Sequence, residues 1–171
     1  PKNDYENGGY RVFNLGLAGA SVVDLRMRFG EAVIRRPNIL IIGCFSNDLR
    51  VRLAAKNPSA LDERKIASFD AQRAWEELLA DACRLCDKVL VVGSPREKFL
   101  AHPLIQAYGP ETHKAFITAL AQHLGAEVVL NYPSCAGVED LYDMYNHPNA
   151  KGYDLMFKDI YAKLQQLKWI D

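Results

Sequence analysis

The 171-residue chain lacks an excess of charge of either sign and lacks any long run of apolar residues. Lys and Arg together number 21, as do Asp and Glu, so there is no basic surplus to favour nucleic acid or an anionic membrane surface. The apolar runs have about the length of a strand, far short of the roughly 20 residues that a membrane span needs. These absences argue against nucleic-acid-binding and membrane-spanning proteins, and they favour a small-molecule partner. They leave the oligomeric state open.

Cysteine is also scarce, with four residues at positions 44, 83, 86 and 135. Cys83 and Cys86 form a Cys-x-x-Cys pair, but no second pair of ligands follows, so neither a zinc nor a redox site is predicted. We therefore expect reduced, mostly buried thiols, no metal and no cofactor, in a cytoplasmic protein. The chain opens at Pro1 with a polar stretch that is typical of a loop and unlike a signal peptide.

The chain instead contains short β-rich runs that alternate with helical stretches, and its apolar fraction of 49% suits one globular domain over residues 1–171. Strands are predicted at Tyr10–Leu15, Asn38–Cys44, Lys88–Gly93 and Glu127–Leu130. The apolar run of Asn38–Cys44 is typical of a strand that is buried on both faces. Strands that alternate with helices predict a parallel sheet between helices, a three-layer α/β/α fold.

The helical stretches carry apolar residues at helical spacing and recognisable ends. Ser21 and Asp24 have the form of a capping box at the start of the first helix, and Gly125 is a good residue to end the third. The predicted core positions are Val22, Leu25 and Phe29; Trp75, Leu78, Leu79, Ala82, Leu85 and Cys86; Phe116, Ile117, Leu120, Ala121 and Leu124; and Tyr153, Met156, Phe157, Ile160, Tyr161 and Leu164. We expect all four stripes to be core contacts.

Active sites of parallel α/β folds lie at the carboxyl ends of the strands, and three loops there carry suitable chemistry. Gly19 stands where a helix begins, so its backbone N–H is free to point into a crevice. Asn47 brings an amide donor to the end of a strand, and His147 brings a base that titrates near neutral pH. Acyl transfer requires donors that bind a developing oxyanion and a base that deprotonates a hydroxyl nucleophile, and these three residues offer both.

These segments resemble the SGNH (GDSL-like) hydrolase superfamily over nearly all of the chain. Asn14-Leu15-Gly16-Leu17-Ala18-Gly19 is similar to the second sequence block of that family. Ser46-Asn47-Asp48 after an apolar strand is similar to the third block. His147-Pro148-Asn149-Ala150-Lys151-Gly152-Tyr153 is similar to the fifth. The resemblance implies a flavodoxin-like parallel sheet and a serine ester hydrolase. It also implies that Gly19 and Asn47 form the oxyanion hole and that His147 is the general base.

The chain departs from the family pattern at three places. The Gly-Asp-Ser segment that holds the nucleophilic serine is not among the 171 residues. By the family's order, this segment and the first strand would precede Pro1. Phe45 stands where the third block has glycine. Met144 stands where the family has the acid that orients the histidine, and Asp143 lies one residue earlier, so either Asp143 or a backbone carbonyl serves as the orienting group.

The remaining serine and histidine residues are better explained by structural roles than by catalysis. Ser21 is better explained as a helix cap, and Ser46, Ser94 and Ser134 lack the glycine-bounded turn of a nucleophile. We interpret His102, His113 and His123 as structural, with the last two on or near helix surfaces.

The expected activity is hydrolysis of a small ester, such as a short-chain acyl ester, an acetylated sugar or a lysophospholipid. An acyltransferase would use the same residues, and the missing nucleophile keeps a catalytically inactive SGNH-like binding module open. A flavodoxin-like nucleotide-binding or response-regulator domain lacks support, because the chain has neither a glycine-rich phosphate loop nor an acidic pocket.

Overall fold

The computed structural model describes residues 4–7, 10–16, 20–43, 61–93, 110–141 and 148–171. Its elements in chain order are β1 (Asp4–Asn7), β2 (Tyr10–Phe13), α1 (Val22–Arg28), α2 (Gly30–Arg35), β3 (Leu40–Gly43), α3 (Leu61–Leu85), β4 (Val89–Val92), α4 (Pro110–Leu124), β5 (Glu127–Val129), a 3-10 helix (Pro133–Cys135) and α5 (Ala150–Gln166).

The centre of the fold is a parallel sheet in the order β3-β4-β5. Ile42 pairs with Val91, and Val91 pairs with Val128, so equivalent side chains point to the same face along the ladder. All residues of β4 are apolar, and Val89, Leu90 and Val91 are buried, as expected of the central strand. The predicted parallel α/β sheet is confirmed.

One face of this sheet is covered by α1, α3 and α4. The cluster on that face includes Val22, Trp75 and Ile117, each with no exposed surface, together with Ile42 and Val91 of the sheet. The predicted core stripes of the first three helices all lie in this cluster or pack against it. Gly125 ends α4 at φ +80°, and the N–H of Ala126 donates to the carbonyl of Ala121 at 2.9 Å, which is the helix ending that glycine favours.

The other face is covered by α5. Leu164 of α5 packs with Leu90 and Val129 of the sheet, and Met156 and Ile160 contact the same cluster. Helices therefore lie on both faces, which confirms the three-layer architecture.

Only part of the apolar stripe predicted for α5 is buried in the core. Tyr153 is 57% exposed, Phe157 62% and Tyr161 38%, so the prediction that these three aromatics are core contacts is wrong. Helical spacing identifies an apolar stripe, but the width of the stripe that becomes buried depends on which neighbours cover it.

The predicted strand Tyr10–Leu15 is shorter and lies elsewhere than expected. Residues Tyr10–Phe13 form β2, which pairs antiparallel with β1 in a separate two-stranded sheet. Tyr10 is 44% exposed and Val12 54%, and such exposure does not fit a strand inside a doubly covered sheet. A short hairpin forms from two strands that are neighbours in sequence, as β1 and β2 are. To join the main sheet, β2 would need to pair with one of its edge strands. The described residues place no strand beside the edge of β3 that faces away from β4.

Within the described ranges, no helix combines the length and the apolar character needed to cross a membrane.

Candidate active site

The residues just beyond the carboxyl ends of β4 and β5 pack closely against one another. The N–H of Gly93, just after β4, donates to the carbonyl of Val129 at 2.9 Å. The buried hydroxyl of Tyr132 donates to the carbonyl of Gly93 at 2.7 Å. A Cβ at Gly93 would lie 3.2 Å from Leu130 Cδ2, so the backbone beyond β4 lies close against the segment beyond β5. The ends of these strands are therefore fixed relative to one another.

Helix α1 begins at this carboxyl edge of the sheet. Helix α3 leads into β4, so its C-terminal end lies at the amino edge of the sheet. Arg26 near the end of α1 forms an ion pair of 3.1 Å with Asp81 near the end of α3. The C-terminal end of α1 therefore lies towards the amino edge, where β3 also begins after α2, and Ser21 at the N-terminus of α1 lies towards the carboxyl edge.

The start of α1 has the predicted capping box. The backbone N–H and the hydroxyl of Ser21 each donate to Asp24 Oδ2 at 2.7 Å, and the N–H of Asp24 donates to Ser21 Oγ at 3.4 Å. Donation from the backbone and side chain of Ser21 lowers the pKa of Asp24 below its ordinary value. Ala20 and Ser21 are buried, so the residue that follows Gly19 is held in place.

Helix α5 also begins at the carboxyl edge. Lys163, near its end, forms an ion pair of 2.8 Å with Glu127, which is the first residue of β5. Since Glu127 marks the amino edge of the sheet, the N-terminus of α5 lies at the opposite, carboxyl edge.

Asn149 holds the start of α5 and bonds to Asp140 and Leu141, the last described residues before segment 142–147. Its Oδ1 accepts from the N–H of Gly152 at 3.0 Å, and its Nδ2 donates to the carbonyl of Asp140 at 2.6 Å. Its backbone N–H donates to the carbonyl of Leu141 at 2.9 Å. The two ends of segment 142–147 are thus joined at their base by one residue.

Gly152 has a role that the sequence analysis missed. A Cβ at this position would press into the carbonyl oxygen of Leu141 and lie 3.1 Å from Pro148 Cβ. Only glycine allows the loop base to pack this closely on the first turn of α5. The sequence did contain a signal of this close contact, which is a glycine near the start of a helix, where most other residues would stabilise the helix more.

The four predicted site residues, Gly19, Asn47, Asp143 and His147, lie outside the described residues. Each is attached to an element described above. Gly19 precedes the buried start of α1, Asn47 follows the end of β3, and the other two belong to segment 142–147. These elements begin or end at one edge of the sheet. The assignments of the four residues themselves stay predictions.

Three residues that the sequence analysis interpreted as structural can be compared with the fold. Ser134 donates from its N–H and its hydroxyl to the Asp159 carboxylate, at 3.0 and 2.7 Å, so it anchors the 3-10 helix to α5. His123 is exposed on α4. The expectation of a surface position is wrong for His113, which is 7% exposed. Its ring centroid lies 6.4 Å from that of Trp75 and 6.3 Å from that of Phe116.

The thiols of Cys83, Cys86 and Cys135 are free. Cys86 donates from its sulfur to the carbonyl of Asn38 at 3.2 Å. Burial raises the pKa of the Cys83 thiol, which makes it less reactive. Among the residues that the structure describes, no group of three or more His, Cys, Asp or Glu is arranged to hold a metal ion.

No protein-family model and no curated protein matches the chain. Among solved structures, the chain is similar to a mutant of Axe2, an acetyl-xylooligosaccharide esterase from Geobacillus Stearmophilus. The TM-score is 0.67 at 17% sequence identity, and the match covers 91% of this chain and 71% of that chain. Identity this low establishes the fold alone. The likeness and the parallel sheet between helices together show that the chain has the three-layer α/β fold of that esterase.

Proposed function

We propose that this protein is a serine ester hydrolase that acts through an acyl-enzyme. The observation that carries the proposal is the common edge at which the start of α1, the end of β3 and the start of α5 lie, because Gly19, Asn47 and His147 are within four residues of these positions in the chain. The fold shared with an acetyl-xylooligosaccharide esterase supports the same class of reaction.

The reaction has two stages. The hydroxyl of a serine, carried by polypeptide that precedes Pro1, attacks the acyl carbonyl while His147 accepts its proton. The backbone N–H of Gly19 and the side-chain amide of Asn47 donate to the oxyanion of the tetrahedral intermediate. His147 then protonates the departing alcohol, and the serine keeps the acyl group. A water molecule, deprotonated by His147, attacks the acyl-enzyme, and His147 returns that proton to the serine oxygen as the acid leaves.

Asp143 orients His147 in this scheme. A carboxylate that accepts from the second ring nitrogen holds the neutral tautomer and stabilises the imidazolium that forms during each stage. Because Asp143 is four residues before the histidine, a backbone carbonyl near the base of the loop is the alternative acceptor.

The substrate is a small ester, and an acetylated carbohydrate is the first class to test, since the structural neighbour is an esterase of acetylated xylo-oligosaccharides. An acyltransferase would use the same residues with an alcohol in place of water. Release of free acetate in water distinguishes hydrolysis from transfer.

The test is steady-state hydrolysis of p-nitrophenyl acetate by the full-length native protein and two histidine variants. His147→Gln should lower kcat by about 10²–10⁴-fold, because the general base is removed. The control is His123→Gln, at an exposed position on α4, which should retain the wild-type kcat. Equal activity of the two variants, or a native protein that binds acetylated oligosaccharide without turnover, would contradict the proposal.

A further inference from the structure

The chain between β5 and α5 leads from the sheet towards the proposed base, and Tyr132 lies near its start. Tyr132 comes just after β5 and immediately before the 3-10 helix. Its side chain is 5% exposed, and its hydroxyl donates to the carbonyl of Gly93 at 2.7 Å. Gly93 follows β4, which is the strand beside β5. The side chain of Tyr132 therefore connects the carboxyl ends of two neighbouring strands.

Tyr132 also belongs to the apolar cluster on the α5 face of the sheet. The cluster includes Leu141, which is 3% exposed, and the cytosine-free set of its other buried members is Leu90, Val129, Cys135 and Leu164. Leu141 is the last described residue before segment 142–147, and its carbonyl accepts from the backbone N–H of Asn149 at 2.9 Å. One buried cluster thus contains both Tyr132 and the residue that precedes the segment with the proposed base.

The chain between Tyr132 and Leu141 is held at its start. The N–H of Cys135 donates to the carbonyl of Tyr132 at 3.0 Å, which closes the 3-10 turn. Ser134 donates from its N–H and its hydroxyl to Asp159 of α5, at 3.0 and 2.7 Å. Closely packed interiors transmit displacements instead of absorbing them. A shift of Tyr132 should therefore reach Leu141.

We propose that Tyr132 is a positioning residue for the base His147. Its hydroxyl fixes the ring to the end of β4, and its ring supports the residues that precede segment 142–147. This inference rests on the proposed function, because it assumes that His147 is the base. General-base catalysis requires the base to lie within hydrogen-bond reach of the proton that it accepts, so a small displacement of His147 lowers kcat.

The test compares Tyr132→Phe with Leu164→Ala in the full-length native protein. Phenylalanine keeps the ring and removes only the hydroxyl. Leu164 belongs to the same cluster, but it is next to Lys163, which pairs with Glu127 at the opposite, amino edge of the sheet. Its truncation therefore controls for loss of stability in the cluster.

Hydrolysis of p-nitrophenyl acetate is measured at a temperature at which circular dichroism shows all the proteins to be folded. Tyr132→Phe should lower kcat about tenfold and leave KM within about twofold, because the base is displaced while substrate binding is retained. Leu164→Ala should lower the melting temperature at least as much as Tyr132→Phe, yet keep the wild-type kcat.

A second readout does not depend on turnover. The ring resonances of His147 are followed in proton–carbon NMR spectra of the same full-length proteins, and they are identified by their loss in His147→Gln. Tyr132→Phe should shift these resonances, because the surroundings of the ring change. Leu164→Ala should leave them in place.

The two readouts separate this inference from the proposed function. Unshifted His147 resonances in Tyr132→Phe would overturn the positioning role, as would a wild-type kcat in that variant or an equal loss of kcat in Leu164→Ala. A wild-type protein that does not hydrolyse the ester, but whose His147 resonances shift in Tyr132→Phe alone, would reject the hydrolase and retain the positioning role.

Discussion

Two residues, Asn149 and Gly152, hold the described residues on either side of segment 142–147, which contains Asp143 and His147, close together. Asn149 makes hydrogen bonds to both sides of the loop base, and Gly152 allows the Leu141 carbonyl to approach the first turn of α5. A catalytic histidine tolerates little displacement from its working position. We therefore expect substitutions at Asn149 and Gly152 to affect the position of the proposed base His147.

Gly152→Ala should destabilise the protein by about 1–3 kcal/mol, because the added methyl group must displace the Leu141 carbonyl or the start of α5. Thermal unfolding measures the effect. The matched control is Gly30→Ala in α2, where an added Cβ meets nothing within 4 Å and alanine is the better helix former. A loss of stability at Gly30 equal to that at Gly152 would show that the tight contact is not the cause.

The capping box of α1 predicts a pH-dependent contribution to stability. The pKa of Asp24 is lowered in the folded state, chiefly by donation from Ser21, so its charged form is favoured there. Its contribution is therefore fully present above the unfolded pKa of about 4 and is lost as pH falls through the lower folded pKa.

Asp24→Asn should accordingly reduce the free energy of unfolding at pH 7, by about 0.3–1 kcal/mol for a charge at a helix start. The difference between wild type and variant should shrink below pH 4, as denaturant titrations at several pH values would show. Asp154→Asn, at an exposed position of α5, is the control. A difference that grows as the pH falls would contradict the assigned sign.

Among the secondary-structure elements, α3 packs on one face of the sheet and contacts the other helices on that face. Trp75, Leu79 and Ala82 have no exposed surface, and Leu78 is 2% exposed. They pack against α1, α4 and the sheet in one cluster. Removal of volume from this helix should therefore destabilise the whole layer.

Leu78→Ala should cost about 2–5 kcal/mol, through lost transfer free energy and the cavity that remains. Met27→Ala is the control, since its side chain is 82% exposed and already in solvent. Urea unfolding should place Met27→Ala within about 0.5 kcal/mol of wild type. A similar loss of unfolding free energy in both variants would mean that packing of Leu78 in α3 does not stabilise the core.

The helices were the part of the fold that the sequence predicted best, because their apolar faces and caps are local patterns. Ser21, Gly125 and the α3 stripe behave as expected. Strand pairing is not local, so β2 was assigned to the wrong sheet. Likewise, helical spacing marked Phe157 as apolar without indicating that the described fold leaves it exposed, and it did not indicate that His113 is buried beside Trp75 of another helix.

At the scale of the molecule, the parallel sheet brings together elements that are far apart in sequence. The α1 start and the α5 start are more than 120 residues apart, yet both lie at the carboxyl edge. The motifs at 14–19, 46–48 and 147–153 indicated a common site because such edges collect loops from the whole chain. The roles of Gly19, Asn47, Asp143 and His147 depend on side-chain positions that spacing along the chain does not determine.

The most direct measurement is the reaction of the full-length native protein with a fluorophosphonate, followed by peptide mass spectrometry of the adduct. The account predicts one covalently modified serine, N-terminal to Pro1 and followed in the chain by the 171-residue sequence. His147→Gln should slow the labelling, and His123→Gln should not. A native protein that takes up no label, or that is labelled at Ser21 or Ser134, would contradict the account.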